Sequence, residues 1–186
     1  MVDQLGPSTS LVIAMAVLVV VATTIVVITI RRSRRYRYAS PLEKATFTAL
    51  HTVALAAPAL REGLSERSAA FALPYLRSLL DTCALAMTDN RAKVLAWDGE
   101  ADQHEPDVRS LADQVISTGR QQVLSHSSIH CEHPNCVVRG IVVVPLETDG
   151  NIVGTLAALT TATATPVLMR ATAEVARYVS SQLELA

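Results

Sequence analysis

The longest apolar segment of the chain is residues 11–30, LVIAMAVLVVVATTIVVITI, which contains no charged side chain. At about 1.5 Å of rise per helical residue, a segment of this length can cross a hydrocarbon core of roughly 30 Å. A cleavable secretory signal would place positive charge before a shorter apolar core, and here that order is reversed. We therefore predict a transmembrane helix over residues 11–30, preceded by an extracytoplasmic N-terminus at residues 1–10.

A basic juxtamembrane segment at residues 31–39 follows this apolar run directly. Positive charge beside a span marks its cytoplasmic end, so we expect a single-pass protein of the cell membrane with its N-terminus outside and the remainder cytoplasmic. The net charge of the whole chain is −1, so the part beyond this segment is acidic, and we expect no nucleic-acid partner. The topology signal comprises Arg31, Arg32, Arg34, Arg35 and Arg37.

After residue 39 the apolar positions recur with helical spacing in two consecutive stretches. Ser-Pro-Leu-Glu at residues 40–43 is typical of a helix N-terminus, and Pro58 and Gly63 indicate the end of that helix. Ser65 predicts the cap of a second helix, in residues 66–84. The first part of the cytoplasmic region is therefore predicted to be helical.

The pattern then changes to short apolar runs separated by turn residues. Segments 83–89 and 93–99 predict one hairpin, and 137–147 and 152–161 predict a second, joined through Asp-Gly. Helical spacing returns in 107–119, a short strand is predicted in 121–126, and a last helix in 166–185. This order predicts an α+β fold with one antiparallel sheet flanked by helices.

Two of the three cysteines lie close to two histidines in the stretch HCEHPNC, residues 130–136. Thiolate and imidazole are ligands that zinc prefers, and a cytoplasmic location keeps thiols reduced. The Cys-x4-Cys spacing is not the paired knuckle of a strong zinc motif, so a redox-sensitive thiol pair and a plain connecting loop remain open interpretations. The candidate zinc ligands are His130, Cys131, His133 and Cys136.

Several segments together resemble a known sensory module. CALAMTD with KVLAWDG, the helix ending at Gly119, the loop CEHPNC and especially IVVVPLETDGNIVGTLAAL resemble a GAF domain. The apolar span with its arginines, ASPLEKATFTALHTVALAAPALREGLS, the CxHPxC loop and the ending ATAEVARYVSSQLELA resemble the sensory half of actinobacterial LytS-type sensor histidine kinases.

The resemblance implies a GAF-like sensory domain at residues 40–165 and a signalling and dimerisation helix at residues 166–186. It also implies a small-molecule pocket for an unidentified ligand, whereas we expect the acidic run 100–107 to be a solvated loop. The candidate pocket residues are Trp97, His104, His126, Cys131, His133 and Cys136.

Such kinases continue into a phosphoacceptor-histidine helix pair and an ATP-binding domain, which this sequence lacks. We therefore expect a homodimeric module that binds a small ligand, a metal or an oxidant without catalysis. Its partners would be a kinase output domain or a response regulator. The alternatives are a stand-alone thiol-redox or metal-binding GAF protein and a thiol-dependent reductase of free methionine sulfoxide.

Overall fold

The computed structural model describes residues 15, 18–22, 24, 41–129, 131, 133 and 135–186. The chain divides into two compact units, Met1–Phe47 and Thr48–Ala186. Within the described residues, no helix combines the length and the apolar character that a membrane crossing requires. Most of the predicted span at 11–30, the five juxtamembrane arginines and the Ser40 cap lie outside the described residues.

Four α-helices are described beyond residue 40. They are α1 (Pro41–Leu60), α2 (Glu66–Leu80), α3 (Glu105–Thr118) and α4 (Pro166–Leu183). The predicted Ser65 cap is confirmed, because its hydroxyl accepts from the Ser68 N–H at 3.2 Å and the Ser68 hydroxyl accepts from the Ser65 N–H at 2.9 Å. Gly119 ends α3 with a φ of 68°.

Two prolines lie inside helices. The prediction that Pro58 helps to end the first helix is wrong, since α1 continues to Leu60. Pro74 likewise lies within α2. A proline removes one backbone donor and disfavours a helix interior, but burial of neighbouring apolar side chains such as Leu60 and Leu73 offsets that cost.

Five strands form one sheet in the order β2-β1-β5-β4-β3. All four neighbouring pairs are antiparallel. The strands are β1 (Ala84–Asp89), β2 (Val94–Gly99), β3 (Gln122–Ser125), β4 (Gly140–Thr148) and β5 (Asn151–Thr160). The predicted α+β class and both predicted hairpins are therefore confirmed.

The sheet separates two apolar clusters, because successive side chains of a strand point to opposite faces. On β4, Val142 and Val144 join a cluster with residues of α1, α2 and α4, and we call this side the three-helix face. Ile141 and Val143 join a second cluster with Val108 and other residues of α3, and we call this side the α3 face. Both sides of the sheet are therefore buried.

Hydrogen bonds fasten helix α4 to its neighbours, and the segment before it lies close to the sheet. The Tyr178 hydroxyl donates to the Val53 carbonyl at 2.9 Å, and the Glu147 N–H donates to Ser180 Oγ at 2.9 Å. At the start of β4, a Cβ added to Gly140 would lie 3.0 Å from the backbone nitrogen of Ala164. Glycine thus permits the segment before α4 to touch the sheet.

Candidate metal and ligand site

The segment joining β3 to β4, residues 126–139, forms one wall of the candidate site, and we call it the Cys/His loop. It begins with a 3-10 turn at His126–Ser128. A cavity of about 210 Å³ lies against it, lined by residues that include His126, Cys131, His133 and Cys136. Four of the six predicted pocket residues therefore line one cavity.

His104 reaches this loop from the opposite side. It ends the 3-10 turn Asp102–His104 just before α3, and its side chain is 1% exposed. Its Nδ1 lies 2.8 Å from Asp107 Oδ2, and its Nε2 lies 3.1 Å from Cys136 Sγ. Because a carboxylate only accepts hydrogen bonds, Nδ1 carries a proton, and in the neutral ring Nε2 then presents its lone pair to the thiol.

Three soft donor atoms come together at this point. A ring nitrogen of His104 and the Sγ atoms of Cys131 and Cys136 lie within 4.8 Å of one another. Ligands held by one tetrahedral zinc ion at about 2.0–2.3 Å are separated by about 3.3–3.8 Å. The three donors could therefore reach a common ion through small side-chain movements.

The thiols differ in their surroundings. Burial raises the pKa of Cys136, the neighbouring Cys131 thiol adds to the rise, and the backbone N–H of Val138 opposes it. A protonated Cys136 can donate to Nε2 of His104. Burial also raises the pKa of Cys83, whose thiol donates to the Leu159 carbonyl at 3.1 Å. Cys83 lies outside the donor cluster.

Trp97 on β2 packs against the apolar cluster of the α3 face, where Cys136 also packs. Its indole Nε1 is buried and has no hydrogen-bond partner within the described part of the chain. On the same sheet, the hydroxyls of Thr88 and Thr155 lie 2.8 Å apart across β1 and β5. The α3 face therefore contains polar groups within an apolar surrounding.

The structural donor set differs from the predicted zinc set in its histidine. Cys131 and Cys136 belong to both sets, and His104, predicted only as a pocket residue, supplies the nitrogen. His133 lines the cavity but is not in the donor cluster, and His130 lies outside the described residues. Histidines next to a cysteine in sequence cannot easily converge on the same centre.

Sequence reasoning missed Asp107 and the burial of His104. The acidic run 100–107 was expected to be a solvated loop, but the structure folds residues 102–107 into the 3-10 turn and the first turn of α3. The available signal was the spacing of His104 and Asp107, three residues apart, which places both on one side of a helical turn.

The fold and the sequence both match known proteins. The GAF domain family model matches residues 59–186. The sensor histidine kinase/phosphatase LytS of Staphylococcus aureus strain N315 is 34% identical over 103 residues. That match covers 53% of this chain and 18% of LytS, so the chain corresponds to a small part of the kinase.

Solved structures of low sequence identity share the fold. Free methionine-R-sulfoxide reductase from Neisseria meningitidis aligns with a TM-score of 0.52 and 18% identity, over 80% of this chain and 95% of the reductase. The GAF domain of A. Aeolicus nlh2 in an inactive state aligns with a TM-score of 0.52 and 11% identity, over 76% of this chain and 98% of that domain. Together with the family match over most of residues 48–186, this places the chain in the GAF domain family.

Proposed function

We propose that this chain is the membrane-anchored sensory module of a two-component histidine kinase of the LytS type. The observation that carries the proposal is the 34% identity over 103 residues with LytS. The cavity beside Cys131 and Cys136 supports it, because a sensory domain needs an internal site whose occupancy can change. In this proposal the module binds a ligand and transmits that event to a kinase half, which carries out phosphoryl transfer.

The proposed anchor is the apolar segment at residues 11–30. Among its described helical residues, Met15, Leu18 and Val21 are each more than half exposed, as lipid-facing side chains would be. The Thr24 hydroxyl donates to the Val20 carbonyl at 2.7 Å, which satisfies a polar group without water. The arginines at 31–39 favour a cytoplasmic location for the GAF domain and an outside N-terminus.

The proposed output element is α4. Its apolar side packs against the sheet through buried residues such as Ala176, Val179 and Leu183, so that stripe is not free to form a coiled coil. Its exposed face carries Arg170, Glu174 and other charged residues. A homodimer through α4 would therefore pair charged side chains across the two copies.

Membrane anchoring can be tested with the full chain fused at its C-terminus either to a fluorescent protein or to alkaline phosphatase. We expect both fusions in the membrane fraction, with fluorescence but no phosphatase activity. Replacing the five juxtamembrane arginines by Asn should reduce the fraction of chains inserted with the C-terminus in the cytoplasm. The matched control replaces five exposed arginines of the domain and should change nothing: Arg67, Arg91, Arg109, Arg120 and Arg170. A chain found in the soluble fraction would contradict the anchor.

Transmission through α4 can be tested by joining the kinase half of LytS after Ala186 and measuring autophosphorylation. An inserted residue rotates the following helix by about 100°, whereas seven inserted residues return it close to its starting phase. We expect single-residue insertion to change the kinase activity and seven-residue insertion to restore it. Activity that ignores both insertions would overturn α4 as the output element.

A thiol-dependent reductase remains the second candidate, because the Sγ atoms of Cys131 and Cys136 lie within 4.8 Å. In that reaction the sulfoxide gains two electrons and two protons to give thioether and water, while the two thiols become a disulfide. Incubating the purified chain with free methionine-R-sulfoxide and a dithiol reductant distinguishes the two functions. Turnover that is lost in Cys136→Ser would favour the enzyme over the sensor.

A further inference from the structure

The strongest unassigned feature of the molecule is the cluster of His104, Cys131 and Cys136. Its three donor atoms come from two separate segments, the turn before α3 and the Cys/His loop. Two sulfurs and one imidazole nitrogen form a soft ligand set, which favours zinc and related thiophilic ions over magnesium or calcium. In a reducing cytoplasm the thiols remain available as ligands.

His104 is already oriented as a metal ligand. Its side chain is 1% exposed, and the hydrogen bond of 2.8 Å from Nδ1 to Asp107 fixes both the ring and its tautomer. Metal-bound histidines generally donate their second ring nitrogen to a carboxylate or carbonyl in this way. Nε2 is therefore left with a lone pair directed at the Cys136 thiol, 3.1 Å away.

The cavity supplies room for a further ligand. It is lined by Cys131 and Cys136 themselves, and also by His126 and His133. Its volume of about 210 Å³ is large enough for several water molecules, each of which occupies roughly 30 Å³ in the liquid. Zinc held by three protein ligands usually completes its coordination with water or an exogenous ligand.

We infer that His104 Nε2, Cys131 Sγ and Cys136 Sγ bind one zinc ion, with Asp107 positioning the histidine and the cavity providing the fourth ligand. Binding releases the thiol protons to solvent and forms two Zn–S bonds and one Zn–N bond. The ion would tie the Cys/His loop to the start of α3. The proposal that the site binds zinc does not depend on the proposed function. A role of zinc as the sensed signal does depend on the proposed sensory function.

A reversible disulfide between Cys131 and Cys136 is the competing interpretation of the thiols. All three cysteines are free in the structure. A disulfide would leave the hydrogen-bonded pair of buried His104 and partly exposed Asp107 without a role, whereas a metal site uses all four side chains. The experiment must therefore separate metal binding from thiol oxidation.

The test uses the full chain, purified in mild detergent with a phosphine reductant, stripped by a chelator and titrated with Zn²⁺ against a chromophoric chelator. We expect one equivalent of tightly bound zinc. Substituting Co²⁺ should give the sulfur-to-cobalt charge-transfer and intense visible bands of a tetrahedral thiolate site. Absence of stoichiometric binding, or a cobalt spectrum without thiolate bands, overturns the proposal.

Variants assign the ligands. Cys131→Ser and His104→Gln should each lose the bound equivalent, and Asp107→Asn should weaken affinity by about 10–100-fold. The matched control Cys83→Ser should retain wild-type binding. Because His104 is buried, circular dichroism must show that the His104→Gln variant still folds. Cys131 is partly exposed, so Cys131→Ser gives a result that depends less on folding. Full binding in the Cys131 variant would overturn the assignment.

Two further outcomes are distinguishable. A metal-free chain that loses two hydrogens by mass under mild peroxide, in a Cys131-dependent manner, overturns the metal site in favour of the disulfide. One bound zinc without any change in autophosphorylation of the LytS chimera supports the metal site and removes its signalling role. Failure of the metal proposal and failure of the sensory proposal are thus separate results.

Discussion

The two faces of the sheet are both apolar at their centres but are closed differently. Three helices cover one face, where Leu73, Leu76 and Leu156 are fully buried. On the other face α3 covers the centre, and the Cys/His loop contributes Ile129 and Cys136 to the packing. The donor cluster lies on this second side, next to α3.

The two faces therefore have different roles: the three-helix face contributes mainly to stability, and the α3 face carries the candidate chemistry. Helical packing on the three-helix face buries large side chains without polar partners, and such burial dominates the free energy of folding. The α3 face places His104 and two thiols beside a cavity, where a ligand could bind. Substitutions on the two faces should therefore have different consequences.

The largest expected effect is on the three-helix face. Replacing the fully buried Leu156 by Ala removes apolar contacts and leaves a cavity, which should lower the free energy of unfolding by about 2–5 kcal/mol. Urea unfolding of the full chain in detergent, followed by circular dichroism, measures this loss. The control Val123→Ala on β3, where Val123 is 37% exposed, should stay within about 0.5 kcal/mol. Equal losses of unfolding free energy in Leu156→Ala and Val123→Ala would contradict the role of the three-helix face as the main source of stability.

Zinc should produce the next largest effect, on the α3 face. At a free concentration of 100 times its Kd, it should raise the free energy of unfolding by about 2.7 kcal/mol. The fluorescence of Trp97, the one tryptophan of the chain, reports unfolding on this side. Cys83→Ser should keep the increase and Cys131→Ser should lose it. An equal increase in both variants would show that zinc acts elsewhere.

The buried hydroxyl pair of Thr88 and Thr155 gives a smaller expected effect. Thr88→Val removes the partner of the Thr155 hydroxyl, and an unpaired buried hydroxyl costs about 1–3 kcal/mol. Adding Thr155→Val should recover most of that loss, since two apolar side chains of the same shape leave nothing unpaired. Urea unfolding of the two single variants and the double variant checks this. A double variant as unstable as the sum of its parts would contradict the pairing.

The smallest expected effect is kinetic and concerns Cys83. Because burial raises the pKa of its thiol, little thiolate is present near neutral pH, and alkylation by iodoacetamide should be slower than for a cysteine in a short peptide. Raising the pH should increase the rate as the thiolate forms. Peptide mapping by mass spectrometry follows the modification. Rapid alkylation near neutral pH would contradict burial of Cys83.

Features controlled by neighbouring residues were predictable from the sequence. The Ser65 cap, the Gly119 stop and the turn at Asp149 and Gly150 all depend on local backbone conformation. Asp149 and Gly150 have φ angles of 50° and 75°, as a tight hairpin turn requires. Local chemistry therefore determined most element boundaries.

Features that depend on distant partners were not predictable. The spacing of three residues could have indicated the pairing of His104 with Asp107, but His104 meets Cys136 across 32 residues of sequence, and no local pattern indicates that contact. The apolar stripe of α4 predicted a helix, and only the structure shows that its Val179 and Leu183 pack in one cluster with sheet residues of their own chain. Pattern alone identifies an apolar stripe and does not identify the surface that covers it.

The close approach of Gly140 to Ala164 has a mechanical consequence. Gly140 is the first residue of β4, directly after the Cys/His loop, and Ala164 lies two residues before α4. An added Cβ would lie only 3.0 Å from the Ala164 nitrogen, which is closer than most Cβ contacts in proteins. Neither segment can advance toward the other without displacing it. The first residue of β4 and the segment that leads into α4 therefore leave no room for a side chain at position 140 unless one of them shifts by a few tenths of an ångström.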